Sequence, residues 1–138
     1  MINILLVEDD EVDVMNVHRA LKKGHITNPV YVAGNGIEAL EMLQDEQHPA
    51  TFPLERRLIL LDLNMPKMNG IEFLIELRAD PKLRQIPVVI LTTSNEDCDK
   101  VVAYDLGVAG YLLKPVTFAT FVETMATLNQ YWALCEMP

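Results

Sequence analysis

The sequence predicts an α/β protein, a doubly wound five-stranded parallel sheet with helices on both faces. Three observations predict it. Short apolar runs, rich in branched residues, recur five times along the chain. They are apolar throughout rather than alternating, as strands buried on both faces are. Segments of helical period separate them, and strand followed by helix, repeated, is the connectivity of a parallel sheet with crossovers. A length of 138 residues suits one domain, and the 50% hydrophobic content is enough for its core.

The elements follow in order. "INILLV" (2–7) is the first strand, and Asp10 is a good N-cap for a helix over 11–23, which Gly24 ends. In that helix Val14, Val17 and Leu21 make the core stripe, leaving Val12, Asp13 and Asn16 facing outward. "PVYVA" (29–33) is the second strand, followed by a helix over 36–46 carrying Ile37, Leu40, Met42 and Leu43. "QDEQHPATFPLERR" (44–57), with its prolines and charges, reads as a long surface loop. "LILL" (58–61) is the third strand, and Ile71, Leu74, Ile75 and Arg78 set the period of a helix over 70–79. "PVVIL" (87–91) and "AGYLL" (109–113) are the last strands, with a short helix near 96–105 and a long one over about 117–134. The whole chain, 1–138, is expected to be a single domain with no output domain attached.

Composition narrows the function. A net charge of −9 disfavours nucleic acid as a direct partner, because phosphate contacts need Lys and Arg. No apolar run approaches the ~20 residues of a membrane span. The start, "MINILLVEDD", lacks the basic region of a signal peptide, so a cytoplasmic location is expected. Cys98 and Cys135 belong to no CxxC or Cys/His cluster and read as free thiols of a reducing compartment. His18, His25 and His48 show no ligand spacing.

Chemistry collects at the strand ends. In an open doubly wound sheet, ligands bind outside the carboxyl ends of the strands, where strand order reverses. With order 2-1-3-4-5, the first and third strands meet there, bringing Glu8, Asp9 and Asp62 together. Two such carboxylates ~4 Å apart repel by roughly 4 kcal/mol at an effective dielectric near 20. Lys114, at the end of the fifth strand, supplies one positive charge. A hard divalent cation supplies two more, and an oxygen-rich site with open water positions suits Mg²⁺. With the hydroxyls of Thr92, Thr93 and Ser94 at the fourth strand end, this is a kit for phosphoryl chemistry. Each residue also has a plainer reading: Thr92 as an ordinary strand residue, Tyr111 as core, Lys114 as a loop lysine, Met65 and Met68 as loop packing. Their joint occurrence at four strand ends is what the plainer readings leave unexplained.

Glu8-Asp9, Asp62 in "LLDLNMP", Thr92 in "ILTTS" and Lys114 in "GYLLKP" together resemble the signature of two-component response regulator receiver domains, over essentially the whole chain. "NMPKMNGIEFL", "VVILTTSNED", "VAGYLLKPVTF" and "LNQYW" are similar to the small single-domain regulators paired with bacterial and cyanobacterial phytochromes. The resemblance implies a flavodoxin-like receiver fold and a phosphorelay switch, not an enzyme with turnover beyond self-catalysed phosphotransfer and autodephosphorylation. Asp62 would be the phosphoacceptor. Asp9, Asp62 and the backbone carbonyl of Asn64 would bind Mg²⁺, with Glu8 acting through water. Thr92 and Lys114 would contact the phosphoryl oxygens, and Tyr111 would be the aromatic switch. Val12, Asp13 and Asn16 would dock a sensor histidine kinase, a phytochrome among the candidates, and the signal would pass to a downstream protein. Glu8 departs from the family pattern, where many members carry Asp.

Two rivals stand beside this. An aspartyl-nucleophile phosphatase usually needs a second acid two residues on, where this chain has Asn64. A receiver-like scaffold that never takes phosphate would lack one of the key residues, and none is missing. The last helix suggests assembly. Phe118, Phe121, Val122, Met125, Leu128 and Trp132 form one apolar face, while the other carries alanines, threonines and Tyr131 with Glu123 as the only charge of the span. Loss of charge with retained aromatics marks an interface. A homodimer through Ala126, Tyr131 and Trp132 is expected.

Overall fold

The computed structural model describes residues 2–47, 52–63, 65, 68–93, 105–114, 117, 119, 120, 123 and 124. The elements run β1 (Asn3–Val7), α1 (Glu11–Lys23), β2 (Val30–Ala33), α2 (Gly36–Gln44), β3 (Arg57–Asp62), α3 (Gly70–Ala79), β4 (Val88–Thr92) and β5 (Gly110–Leu113). The strands form one parallel sheet in the order β2-β1-β3-β4-β5, as expected. The segments read as helical over 96–104, and 117–134 apart from a few positions, lie outside the described residues.

Alternation along the strands splits the core into two layers. Leu5, Val7, Ile59, Leu61, Val88 and Ile90 pack on one face with Ala39 and Leu43 of α2 and with Phe73, Leu74 and Leu77 of α3. Ile4, Leu6, Leu58, Leu60, Val89, Leu91 and Leu112 pack on the other with Val17, Ala20 and Leu21 of α1. Local chemistry starts each helix. Asp10 accepts the N–H groups of Val12 at 2.8 Å and Asp13 at 3.4 Å. Asn35 accepts the N–H of Glu38 at 2.9 Å. Asn69 and Glu72 form a reciprocal capping box at the head of α3.

Four expectations need correction. Burial on both faces holds for β1, β3 and β4, but β2 and β5 are edge strands, so Val32 and Leu113 are exposed. In α1 the buried stripe is Val17, Ala20 and Leu21, with Val14 only partly covered. In α3 it is Phe73, Leu74 and Leu77, while Ile75 is 43% exposed, because apolar residues occur all round this helix and the sheet selects one side. Arg78 leaves the stripe altogether. Its guanidinium donates to the carbonyls of Leu106, Gly107, Arg84 and Ile86, tying the end of α3 to the lead-ins of β4 and β5. The segment before β3 is not wholly surface loop either. Phe52 is fully buried, edge-on to Tyr31, with the Arg57 guanidinium 5.0 Å above its ring centre. Arg57 donates to the carbonyls of Pro53, Phe52 and Leu43 at 2.6, 3.0 and 3.1 Å, which fastens the loop to the end of α2. Among the described residues no helix is long and apolar enough to cross a membrane.

Candidate functional site: an acidic pocket at the strand ends

Register builds the site. Val7 pairs with Leu61, so the next residues, Glu8 and Asp62, are level at the carboxyl edge of neighbouring strands. Asp62 pairs in turn with Leu91, and Thr92 with Leu113, so β4 and β5 deliver Thr93 and Lys114 to the same edge. Alternation puts Glu8, Asp62, Thr93 and Lys114 on the α1 side, continuing the rows Ile4-Leu6, Leu58-Leu60, Val89-Leu91 and Leu112. These residues, with Asp9, Asp10 and Asp13, line an open depression of about 440 Å³.

Lys114 sits at the centre. Its Nζ lies 2.8 Å from Glu8 Oε2, 2.9 Å from Asp13 Oδ2 and 3.2 Å from Asp62 Oδ1. Its backbone N–H donates to the carbonyl of Thr92 at 2.9 Å, locking the ends of β4 and β5 together. Glu8 and Asp62 are almost fully buried, at 2% and 3% exposure. Burial pushes the Glu8 carboxyl up to about 7; Lys114 against it opposes this only in part, and Asp62 beside it adds to the rise. Burial works against the Lys114 ammonium, but its contacts with Glu8 and Asp13 and the charge of Asp62 outweigh that and hold its pKa above the usual lysine value. The ammonium therefore stays charged at neutral pH, while burial favours the protonated form of Glu8.

The acids suit a cation. Glu8, Asp9 and Asp62 each offer one oxygen, all within 4.8 Å of one another, and Asp9 is solvent-exposed, which leaves room for water ligands. Glu8 Oε1 accepts the N–H of Asp10 at 3.1 Å, but Oε2 is buried without a hydrogen bond, its contact with Lys114 being one of charge alone. A buried carboxylate oxygen left so is one that a cation or its bound water would satisfy. The all-oxygen donor set fits Mg²⁺.

Of the residues singled out in sequence, Glu8, Asp9, Asp62 and Lys114 come together. Thr92 is fully buried one step behind the pocket, and Thr93 lines it instead. Thr93 was legible: it follows Leu91, the partner of Asp62, by two residues, so it shares that side of the strand. Tyr111 is not core but 36% exposed. Val12 is exposed at 63%, as an outward residue of α1 should be, and Asn16 is partly exposed. Asp13, expected to face outward with them, turns its carboxylate into the pocket. Its place in the first turn of α1, three residues after the Asp10 N-cap that also lines the pocket, is the signal that places it there. Asn64, Ala126, Tyr131, Trp132, His48, Cys98 and Cys135 lie outside the described residues.

A model of the response regulator receiver domain matches residues 4–126. The chain belongs to that family. This receiver domain is similar to the response regulator Rcp1 of Synechocystis sp., with 36% identity over 129 residues that cover 94% of this chain and 87% of the relative. The Mn²⁺-bound form of Rcp1 superimposes with a TM-score of 0.73 at 35% identity, covering 100% of this chain and 99% of that one. The bacteriophytochrome response regulator RtBRR superimposes with a TM-score of 0.84 at 43% identity, covering 100% of this chain and 84% of that one. The phosphorylated cyanobacterial phytochrome response regulator RcpA does so with a TM-score of 0.71 at 35% identity, covering 95% and 93%. The fold of this receiver domain is thus the flavodoxin-like receiver fold. Its likeness to phytochrome regulators, first drawn from short motifs, extends over nearly its full length.

Proposed function

We propose that this receiver domain is a phosphorelay switch that takes a phosphoryl group onto Asp62 from a histidine kinase. One observation carries the reading: Asp62 lies at the meeting of β1 and β3 with Lys114 Nζ 3.2 Å away and Glu8 and Asp9 within ligand distance of a common cation. An oxygen of Asp62 attacks the phosphorus of a phosphohistidine. The new P–O bond forms as the P–N bond breaks, its electron pair goes to the ring nitrogen, and the imidazole leaves neutral with the proton that its other nitrogen already carries. Lys114 meets the charge on the phosphoryl oxygens, and the hydroxyl of Thr93, with that of Thr92 once it shifts toward them, donates hydrogen bonds to them. Bound Mg²⁺, held by Asp9, Asp62 and the Asn64 carbonyl with Glu8 through water, would neutralise the negative charge that gathers in transfer. Water later attacks the acyl phosphate, returning the carboxylate and inorganic phosphate.

The signal then leaves through the surface. Thr92 continues the row of Val88 and Ile90, and Ile90 pairs with Tyr111, so Thr92 and Tyr111 share a sheet face as diagonal neighbours. A shift of Thr92 toward a phosphoryl group would free space beside Tyr111, which is half out of the protein and able to turn in. The partner supplying phosphate is a sensor histidine kinase of the phytochrome type, a reading supported by RtBRR and RcpA, and it docks on α1 beside Val12 and Asn16. The homodimer through Ala126, Tyr131 and Trp132 rests on the composition of the last helix, and a cytoplasmic location follows from the kinase partner.

The test is incubation with acetyl phosphate and Mg²⁺ followed by intact-mass measurement. One added phosphoryl group on the wild type and none on Asp62→Asn is the expected result. Labelling of the variant at the wild-type rate would remove Asp62 from its role.

A further inference from the structure

Lys114 has three N–H donors, and three carboxylates surround them: Glu8 at 2.8 Å, Asp13 at 2.9 Å and Asp62 at 3.2 Å. An incoming phosphoryl oxygen can reach this ammonium only if one carboxylate gives up its contact. The contact with Asp62 is the longest, and Asp62 is the group whose charge is spent when it becomes an acyl phosphate. The contact with Asp62 is therefore the one that gives way to the phosphoryl group. The other two must hold the ammonium still while this happens, because a four-carbon stem with free rotation does not aim a donor by itself. Glu8 is one anchor, but it also faces the cation cluster. Asp13 is the other, and it has no further duty in the reaction.

Asp13 is built for this. It stands in the first turn of α1, its own N–H held by the Asp10 cap at 3.4 Å, so its backbone is fixed. Lys114 is fixed at the opposite end by its N–H to the Thr92 carbonyl at 2.9 Å. The Asp13–Lys114 bond thus bridges α1 to the end of β5 across the mouth of the pocket. We infer that Asp13 is a positioning residue for phosphotransfer, acting through Lys114 and not on the phosphoryl group. This rests on the switch reading of Asp62.

The experiment measures the rate of acetyl-phosphate labelling by intact mass, across donor concentrations at saturating Mg²⁺, for wild type, Asp13→Ala, Asp13→Asn, Lys114→Met and the Asp13→Ala/Lys114→Met pair. Melting midpoints confirm that each variant is folded at the assay temperature. Asp13→Ala should lower the plateau rate by roughly ten-fold, less than the ~10²–10³-fold that losing a direct donor costs, with half-saturation by donor little changed. Asp13→Asn, which keeps an acceptor for the ammonium, should recover most of the rate. In the Lys114→Met background the Asp13→Ala change should have no further effect. A wild type that takes no phosphoryl group overturns the switch reading itself. A labelled wild type with Asp13→Ala at the same rate, Asn as slow as Ala, or losses that multiply in the double variant, each overturns the role of Asp13 alone.

Discussion

A β-carbon placed on Gly70 would lie 2.6 Å from the carbonyl oxygen of Asp62 and 2.6 Å from Cα of Leu63. The first residue of α3 thus rests directly on the backbone of the site, and its N–H donates to the Leu63 carbonyl at 3.0 Å. Alanine would favour the helix by at most about 1 kcal/mol. The clash is with backbone that cannot swing aside, and such overpacking costs about 1–3 kcal/mol, so the clash wins. Gly70→Ala should lower the melting midpoint and slow labelling of Asp62 by acetyl phosphate. A variant as stable and as fast as wild type would mean that the β3–α3 turn yields freely.

Asp62→Asn should raise the stability of the metal-free protein. The carboxylates of Glu8, Asp9, Asp13 and Asp62 line a pocket in which Lys114 is the one cation among the described residues, and removing a charge from so unbalanced a group relieves repulsion. The same change should shrink the stabilisation by Mg²⁺, since a ligand that binds only the folded state stabilises by mass action. Thermal melts with EDTA and with Mg²⁺ check both, and a variant less stable than wild type in EDTA would show that the ion pair with Lys114 outweighs the repulsion.

Glu8 gives the metal-free protein a pH dependence of definite sign. Its carboxyl is raised from the ordinary 4.5 to about 7 by burial. Between those values the folded state holds a proton that the unfolded chain has released, so the contribution is fully present below 4.5 and is lost as pH rises through 7. In EDTA, wild type should lose stability relative to Glu8→Gln as pH goes from 5 to 8. Mg²⁺ competes with that proton, so its stabilising effect should be larger at pH 8 than at pH 5.5. Parallel curves for the two proteins across this range would rule Glu8 out as the titrating group.

Asp9→Asn should weaken Mg²⁺ binding more than Glu8→Gln does. Asp9 is exposed at the mouth and free to ligate, while Glu8 is engaged with Lys114 and the Asp10 N–H. Calorimetric titration ranks the two, and the reverse order would make Glu8 the direct ligand.

Phe52→Ala should cost about 3–5 kcal/mol, as emptying a closed aromatic site does. Arg57, stacked on that ring at the start of β3, lies five residues from Asp62, about 16 Å along the strand. Below its melting midpoint the variant should therefore label at the wild-type rate. A slowed reaction would reveal strain carried along β3.

Sequence alone determined the sheet, because strands buried on both faces read as unbroken apolar runs. It determined the caps at Asp10 and Gly24 because they act within a few residues. It also determined the grouping of Glu8, Asp9, Asp62 and Lys114, because parallel strands all deliver their carboxyl ends to one edge. What it could not determine lies where side chains choose between competing surroundings. Ile71, Leu74 and Ile75 share the helical period of α3, and only contact with the sheet decided that Leu74 is buried and Ile75 is not. Phe52 sits among prolines and charges that read as surface, yet the edge-on contact with Tyr31 and an arginine with three carbonyl partners took it into the core. Asp13 reads as an outward residue of α1 until Lys114, distant in sequence, brings a positive charge to within 2.9 Å. Local periodicity sees only the chain's own neighbours, and an ion pair or a packed ring depends on residues that the fold alone brings near.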